Sequence, residues 1–439
     1  MPQQGAPGEA GRSGAARASS SLGAVLANAT FRRLWLAGAL TSAMRWLDLL
    51  VLGVFIYDLT GSPGSVALYF FVRMIPRVLF GIVIGTVADR ISRQTMLVAG
   101  FFALAAVSTA LGALVLTDLI EYWHLLVGGF VAGIFWSSEF PVRRAMIGDV
   151  VEPALVGRAV ALDIGTSAFT RMLGPVLGGV LLEGIGAQAA FFLETAAFLG
   201  AAAVVASLRY APPTAGRPRS SPLRDVADAA RYVRASQLLM GVFAVSFVMN
   251  LLAFPYMTMV PVIGRETLEI DAVRIGLLTS AEGLGAVLGS AFIAARAPEG
   301  SYARIYYFGS MLFLVCVLLF SRSQTYMVSL GLLWLAGFGM TSFATMQTTL
   351  VVASAAPEMR GRALGALSLS IGSNPLGALH IGVMAGLLGA PLATTISAAE
   401  GLVVLALVGV AWPVLRGEFR VAPEQAPLAA GGEETVGRR

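Results

Sequence analysis

The sequence predicts an all-α integral membrane protein, with twelve transmembrane helices arranged as two pseudo-symmetric six-helix bundles. Three observations predict it. Of its 439 residues 57% are hydrophobic and 13% charged, with a mean hydropathy of +0.79, where soluble domains carry about 25% charged residues. Apolar stretches of about 20 residues, enough to cross roughly 30 Å of hydrocarbon at 1.5 Å per residue, recur along the whole chain. The segments between them carry arginine on alternate sides, as the positive-inside rule requires of a multi-pass protein.

In order, the apolar stretches are 34–57, 66–88, 95–116, 125–146, 159–182 and 189–208, then 238–263, 275–295, 305–320, 326–352, 363–388 and 391–415. One set of connections holds Arg32, Arg33, Arg90, Arg93, Arg143, Arg144, Arg158, the arginines from Arg209 to Arg234, Arg296, Arg304, Arg360, Arg362, Arg416 and Arg420. The other set holds Arg265, Arg274 and Arg322, with Asp58, Asp118, Glu121 and Glu183 near the same ends. Both termini and the central linker are therefore expected in the cytoplasm, and the chain in a bacterial inner membrane.

Five segments follow. Residues 1–30, rich in Gly, Ala, Ser and Arg, are expected to be a disordered cytoplasmic head. The run after them is too long for the apolar core of a signal peptide and reads as an uncleaved first span. A first six-helix bundle covers 31–209. A Pro/Ser/Arg-rich linker with a short amphipathic helix covers 210–236. The second bundle covers 237–416, and 417–439 is a disordered cytoplasmic tail. An internal repeat supports the halves: Pro153, Gly157, Arg158 and Ala159 after the fourth span align at one offset with Pro357, Gly361, Arg362 and Ala363 after the tenth.

Composition also excludes. A pI near 9.6 does not indicate nucleic acid as a partner, because the arginines are dispersed between apolar runs. Cys316 is the single cysteine, and His124 and His380 are the two histidines, so neither disulfide, metal site nor cofactor is expected. No nucleophile and base stand at working spacing, which argues against an enzyme. Neither terminal segment is long enough for the soluble signalling domain of a receptor.

Charged residues inside spans mark candidate sites, since each costs at least about 2.5–3.5 kcal/mol at the bilayer centre unless paired or wet. Arg45 and Asp48 share a face of span one, and Glu139 precedes Arg143 by one turn on span four. Arg73 and Arg77 share a face of span two and call for carboxylates on other helices or for an anionic ligand. Arg171 lies on span five and Glu194 on span six. Asp48, Glu139 and Glu194 are the expected proton-coupling carboxylates. Arg45, Arg77 and Arg171, with Asn250 and Gln347 of the second half, are the expected substrate-binding groups, and the surplus of positive charge favours substrates with carboxylate, catecholate or hydroxamate groups. The second half is poorer in charge, with Glu282 and Glu400 as its acids and His380 among its polar groups. Its apolar and aromatic residues, Phe254 and Tyr256 among them, are candidates for the greasy side of the cavity.

Two glycine-containing segments are expected to gate. Gly85, Asp89, Arg90 and Arg93 close the second span in GTVADRISRQ, and Gly174 and Pro175 open GPVLGG in the fifth. The first segment resembles the signature loop of major facilitator superfamily transporters, with Ser92 and Gln94 in place of a glycine and a basic residue. The second is similar to the glycine-proline motif of that superfamily's exporters, with Ala161 and Thr170 at two upstream glycine positions. With FRRLW, DLTGSP, VRRAMIGDVVEP and PEMRGRALG, the chain resembles the branch of enterobactin-exporter-like and macrolide-efflux-like proteins. The resemblance implies the major facilitator fold. It also implies export of siderophores, antibiotics or other secondary metabolites by proton antiport, with Asp89 contacting the start of span eleven when the carrier faces outward. The expected partners are a small-molecule substrate, protons and the lipid bilayer, the chain acting as a monomer. A proton-coupled importer is the main alternative.

Overall fold

The computed structural model describes residues 22–88, 91–210, 230–356 and 359–417. Among the described residues the fold is all-helical. A short α1 (Leu22–Ala27) leads into α2 (Ala29–Thr60), α3 (Pro63–Ala88), α4 (Arg93–Leu116), α5 (Tyr122–Val150), α6 (Val156–Gly184) and α7 (Ala187–Ala206). The second half begins with α8 (Gln237–Val248), which continues through a widened turn at Met249–Ala253 and a tight one at Phe254–Thr258 into α9 (Val260–Glu266). Then come α10 (Ala272–Arg296), α11 (Tyr302–Arg322), α12 (Tyr326–Ser354), α13 (Arg360–Ile371), α14 (Asn374–Leu388) and α15 (Ala390–Ala411).

Among the described residues ten helical stretches are long and apolar enough to cross a membrane, counting α8 with α9 and α13 with α14 as one each. Of the remaining helices, α3 and α6 run 26 and 29 residues. The arginines and acids of α6 lower its hydropathy, and Asp163, Arg171 and Glu183 meet partners on neighbouring helices. Large apolar side chains such as Leu387, Leu116 and Val410 stay exposed on the flanks, which is where lipid solvates a membrane protein.

Small residues let the helices approach. A Cβ on Gly276 of α10 would lie 2.5 Å from the carbonyl oxygen of Pro175 on α6, so only glycine permits this backbone contact between the two halves of the chain. The seal continues where α14 packs on α3 and α9 on α2. At the same end Arg265 donates to both oxygens of Asp58, at 3.2 and 3.0 Å, and Glu183 accepts the amide of Ala272 at 3.1 Å. The carboxylate at the N-terminus of α10 is favoured by that helix's exposed N–H groups and dipole.

The opposite, arginine-rich end is different. There α13 packs on α8 and α12 of its own half, and Gly157, Gly165, Gly361 and Gly365 face open space. An apolar cleft of about 830 Å³ opens there along α2 and α6, between Trp35, Leu162 and Phe169. Among the described residues the two halves thus close against each other at the Asp58 end and part at the Arg158 end.

Candidate functional site: a cationic cavity between the halves

The cavity, about 340 Å³, lies between the halves and takes walls from both. On α3, Phe70, Arg73, Met74 and Arg77 follow the i, i+3, i+4, i+7 spacing of one helix face and all four line it. Arg45, Trp46 and Leu49 contribute from α2, Trp136 and Ser137 from α5, and Arg171 from α6. The second half supplies Asn250, Phe254, Met257, Met340, Asn374 and Pro375.

Two of the three spans of the second half that meet the cavity are broken there, while α12, which brings Met340, is continuous. The widened turn holding Asn250 frees its backbone carbonyl, which accepts the side-chain amide of Asn374 at 3.3 Å, while Asn250 donates to the carbonyl of Ser246 at 2.8 Å. Proline causes the second break, since Pro375 cannot donate to the turn before it. Irregular backbone at membrane depth is tolerated where it lines a cavity and its freed groups find partners.

Four guanidinium groups line this space, and their pairing is unequal. Arg73 is ion-paired with Asp48 and donates to the hydroxyl of Tyr69 at 3.1 Å. Arg171 donates to Glu282 across the halves at 2.5 Å. Arg45 and Arg77 form no ion pair among the described residues; Arg45 lies 5.3 Å over the ring of Trp136, a cation–π contact.

Behind Arg73 the carboxylates of Asp48 and Glu194 face each other, close enough for a hydrogen bond when one of them carries a proton. Glu194 accepts from Ser108 at 3.0 Å through one oxygen, and its other oxygen is buried without a partner. A void of about 30 Å³ adjoins both acids. Two carboxylates against one guanidinium make a cluster of formal charge −1 that a single proton neutralises.

The remaining sequence candidates sit elsewhere. Glu139 accepts from Arg143 at 2.5 Å, and Arg143 also pairs with Asp163 of α6. All three are at most 4% exposed, and a Cβ on Gly38 of α2 would lie 2.5 Å from the Arg143 guanidinium. This ion triad ties α2, α5 and α6 together outside the cavity. Gln347 also lies away from the cavity wall, donating at 2.7 Å to Ser246, whose hydroxyl meets that of Tyr306. Asp48 finds its partner in Arg73 on α3 rather than in Arg45 on its own helix, whose guanidinium lies over Trp136 instead. His380 and Glu400 meet at 2.9 Å on the flank between α14 and α15.

Of the gating candidates, Gly174 packs under Trp46, where a Cβ would come within 2.6 Å of that side chain, and Pro175 opposes Gly276. Gly85 lies in α3, and Asp89 and Arg90 lie outside the described residues. Arg93 pairs with Asp149 at the end of α5, and Tyr210 donates to the same carboxylate at 2.5 Å. Sequence reasoning missed Asp163 as well as the roles of Ser108 and of Glu282 with Tyr256 as partners. Asp163 was open to the rule applied to Arg171, an ionisable residue inside an apolar run. The pairing of Glu282 with Arg171 required knowing which helices touch.

The chain matches the model of the transmembrane secretion effector family over residues 19–428. Among curated proteins it is similar to the enterobactin exporter EntS of Citrobacter koseri, 27% identical over 79% of this chain and 82% of that one. It is also similar to the staphyloferrin A transporter of Staphylococcus aureus, 20% identical over 78% and 86%. The match to the uncharacterised MFS-type transporter YfiS of Bacillus subtilis, 26% identical, covers 36% of this chain and 37% of that one. Among solved structures, an inward-facing bacterial homologue of the lysosomal transporter Spinster superposes with a TM-score of 0.67 at 16% identity, covering 88% of this chain and 95% of that one. The nucleoside transporter NupG superposes with a TM-score of 0.67 at 13% identity, over 87% and 99%. Family match and fold agree: this chain belongs to the transmembrane secretion effector family and is a multi-pass major facilitator superfamily transporter of small molecules.

Proposed function

We propose that the protein exports a small amphipathic molecule bearing acidic or chelating groups, a siderophore or antibiotic-like metabolite, in exchange for protons. The observation that carries this reading is the pair of cavity arginines, Arg45 and Arg77, left without a carboxylate among the described residues. Uncompensated cationic charge inside a membrane is costly and is relieved by an anionic ligand. The aromatic and methionine side chains around it, Trp46, Trp136, Phe254 and Met257, offer apolar surface for the rest of such a molecule. Curated relatives that transport enterobactin and staphyloferrin A support the substrate class.

Twelve spans follow if α3 and α6 cross with the other ten stretches, and the arginine bias then sets both termini, the 210–236 linker and the open mouth in the cytoplasm of a bacterial inner membrane. Substrate would enter from that side, the six-helix halves 31–209 and 237–416 would rock about the cavity, and the seal between α6 and α10 would part. One proton taken up by Asp48 and Glu194 would drive the return. The chain works as a monomer in this scheme.

Everted membrane vesicles carrying the protein test the reading. A labelled catecholate siderophore should accumulate when an acid-inside gradient is imposed and should stop accumulating when the gradient is collapsed. Glu194→Gln should abolish the response to the gradient, because the Asp48–Arg73 pair that remains is already neutral and has no uncompensated charge to attract the proton. Uptake into right-side-out vesicles alone would establish an importer instead.

A further inference from the structure

Arg171 faces two ways. Its guanidinium lines the cavity, 5.0 Å over the ring of Trp46 on α2, and its Nη2 donates at 2.5 Å to Glu282 of α10, in the other half of the chain. Glu282 is 2% exposed and is not itself part of the cavity wall. Its second oxygen accepts the hydroxyl of Tyr256, whose ring is packed edge-on by Phe313 and Phe320. The carboxylate is therefore fixed from behind by a rigid aromatic cluster, and it reaches the substrate space through Arg171.

We propose that Glu282 is a tethered competitor for the acidic group of the substrate: it occupies Arg171 in the empty carrier and yields it to a ligand that brings its own anion. The inference rests on the anion-selective reading of the cavity. A guanidinium presents its donors as a fork that suits a carboxylate. A neutral ligand has nothing to offer in exchange for a buried charge-assisted bond and leaves the pair intact. An acid takes the guanidinium over, and because the pair joins α6 to α10, the same exchange removes a contact between the halves. Selectivity and release of the halves then draw on one event. Apparent affinity for the acid is reduced by the fraction of carriers in which Arg171 is free, so removing the competitor tightens binding.

Calorimetry on the purified full-length chain tests this, with 2,3-dihydroxybenzoate as the acidic probe and its neutral amide, 2,3-dihydroxybenzamide, as the control. Glu282→Gln should bind the acid about tenfold or more tightly, by the population arithmetic of a site mostly occupied by its internal rival, with no change for the amide. Tyr256→Phe should move the acid the other way, several-fold weaker, because a Glu282 deprived of its hydroxyl donor holds Arg171 harder. In an Arg171→Gln background Glu282→Gln should change nothing. A purely structural role for the pair would lower affinity for both probes together. If the wild type prefers the acid but Glu282→Gln leaves that affinity unchanged or weaker, and Tyr256→Phe fails to weaken it, the competitor idea is wrong while the anion-selective cavity stands. If the wild type binds the acid no better than the amide, the cavity reading falls and takes the inference with it.

Discussion

Arg45 and Arg77 differ from the other two cavity arginines in forming no ion pair among the described residues, and that difference sets what each can do for a ligand. Arg73 is committed to Asp48 and Arg171 is shared with Glu282, so the first charge an incoming anion meets unopposed is that of Arg45 or Arg77. Hydrogen bonds to charged groups contribute about 1.5–3 kcal/mol. Arg77→Gln should therefore raise the KM of an acidic substrate roughly tenfold or more and leave a neutral one within about twofold; equal losses for both in vesicle transport would remove Arg77 from anion recognition. These positions could be read in the sequence because ionisable residues inside apolar runs are rare and visible. Which acid answers which arginine could not. Spacing within one helix suggested Arg45 with Asp48, and the pairing that forms crosses from α2 to α3. The same limit applies to Gln347, a polar residue in an apolar run that serves a hydrogen-bonded network inside its own half.

At the scale of the helix, the two broken spans of the second half are stitched to each other. Asn374 caps the carbonyl freed at Asn250, and Gly377 lies so close to the backbone of Leu251 and the ring of Pro255 that a side chain has no room. The stretches 238–263 and 363–388 read as continuous spans although Pro255 and Pro375 stand inside them, and the meeting of the two breaks depends on the packing of α14 against the turns after α8, which was not legible. Gly386, on the same helix, faces open space. Overpacking a tight contact costs about 1–3 kcal/mol. Gly377→Val should thus lower the Tm of the detergent-purified protein by several degrees and weaken substrate binding, because the cavity wall itself shifts. Gly386→Val should do neither. A thermal-shift series giving both variants the wild-type Tm would show that the stitch contributes little.

For the whole molecule, the question is what holds the Asp58 end shut while the Arg158 end stands open. Two kinds of contact compete for the answer. Arg265 with Asp58 and Glu183 is visible as a charge cluster, but those side chains are 24%, 44% and 48% exposed, and exposed ion pairs contribute about 0.2–1 kcal/mol. Against them stands the backbone contact at Gly276 and Pro175, continued by Gly179 on Ala272 and Gly382 on Ala67, where any added Cβ must push the halves apart. The sequence showed the small residues of GPVLGG and the alternation of arginines that separates the two ends. It did not show that α6 and α10 are the pair these glycines join. If close packing dominates, Arg265→Gln should change the balance of open states no more than about fivefold, while Gly276→Val should shift it much further. The check uses chains in which the buried Cys316 is replaced by alanine and a reporter cysteine is placed at Gly365→Cys, at the open mouth, or at Gly64→Cys, within the seal near Gly382. With Gly276→Val, labelling by a membrane-impermeant maleimide should fall at the first reporter and rise at the second. A larger shift from Arg265→Gln than from Gly276→Val would make the charge cluster, rather than the glycine contact, the element that keeps the Asp58 end closed.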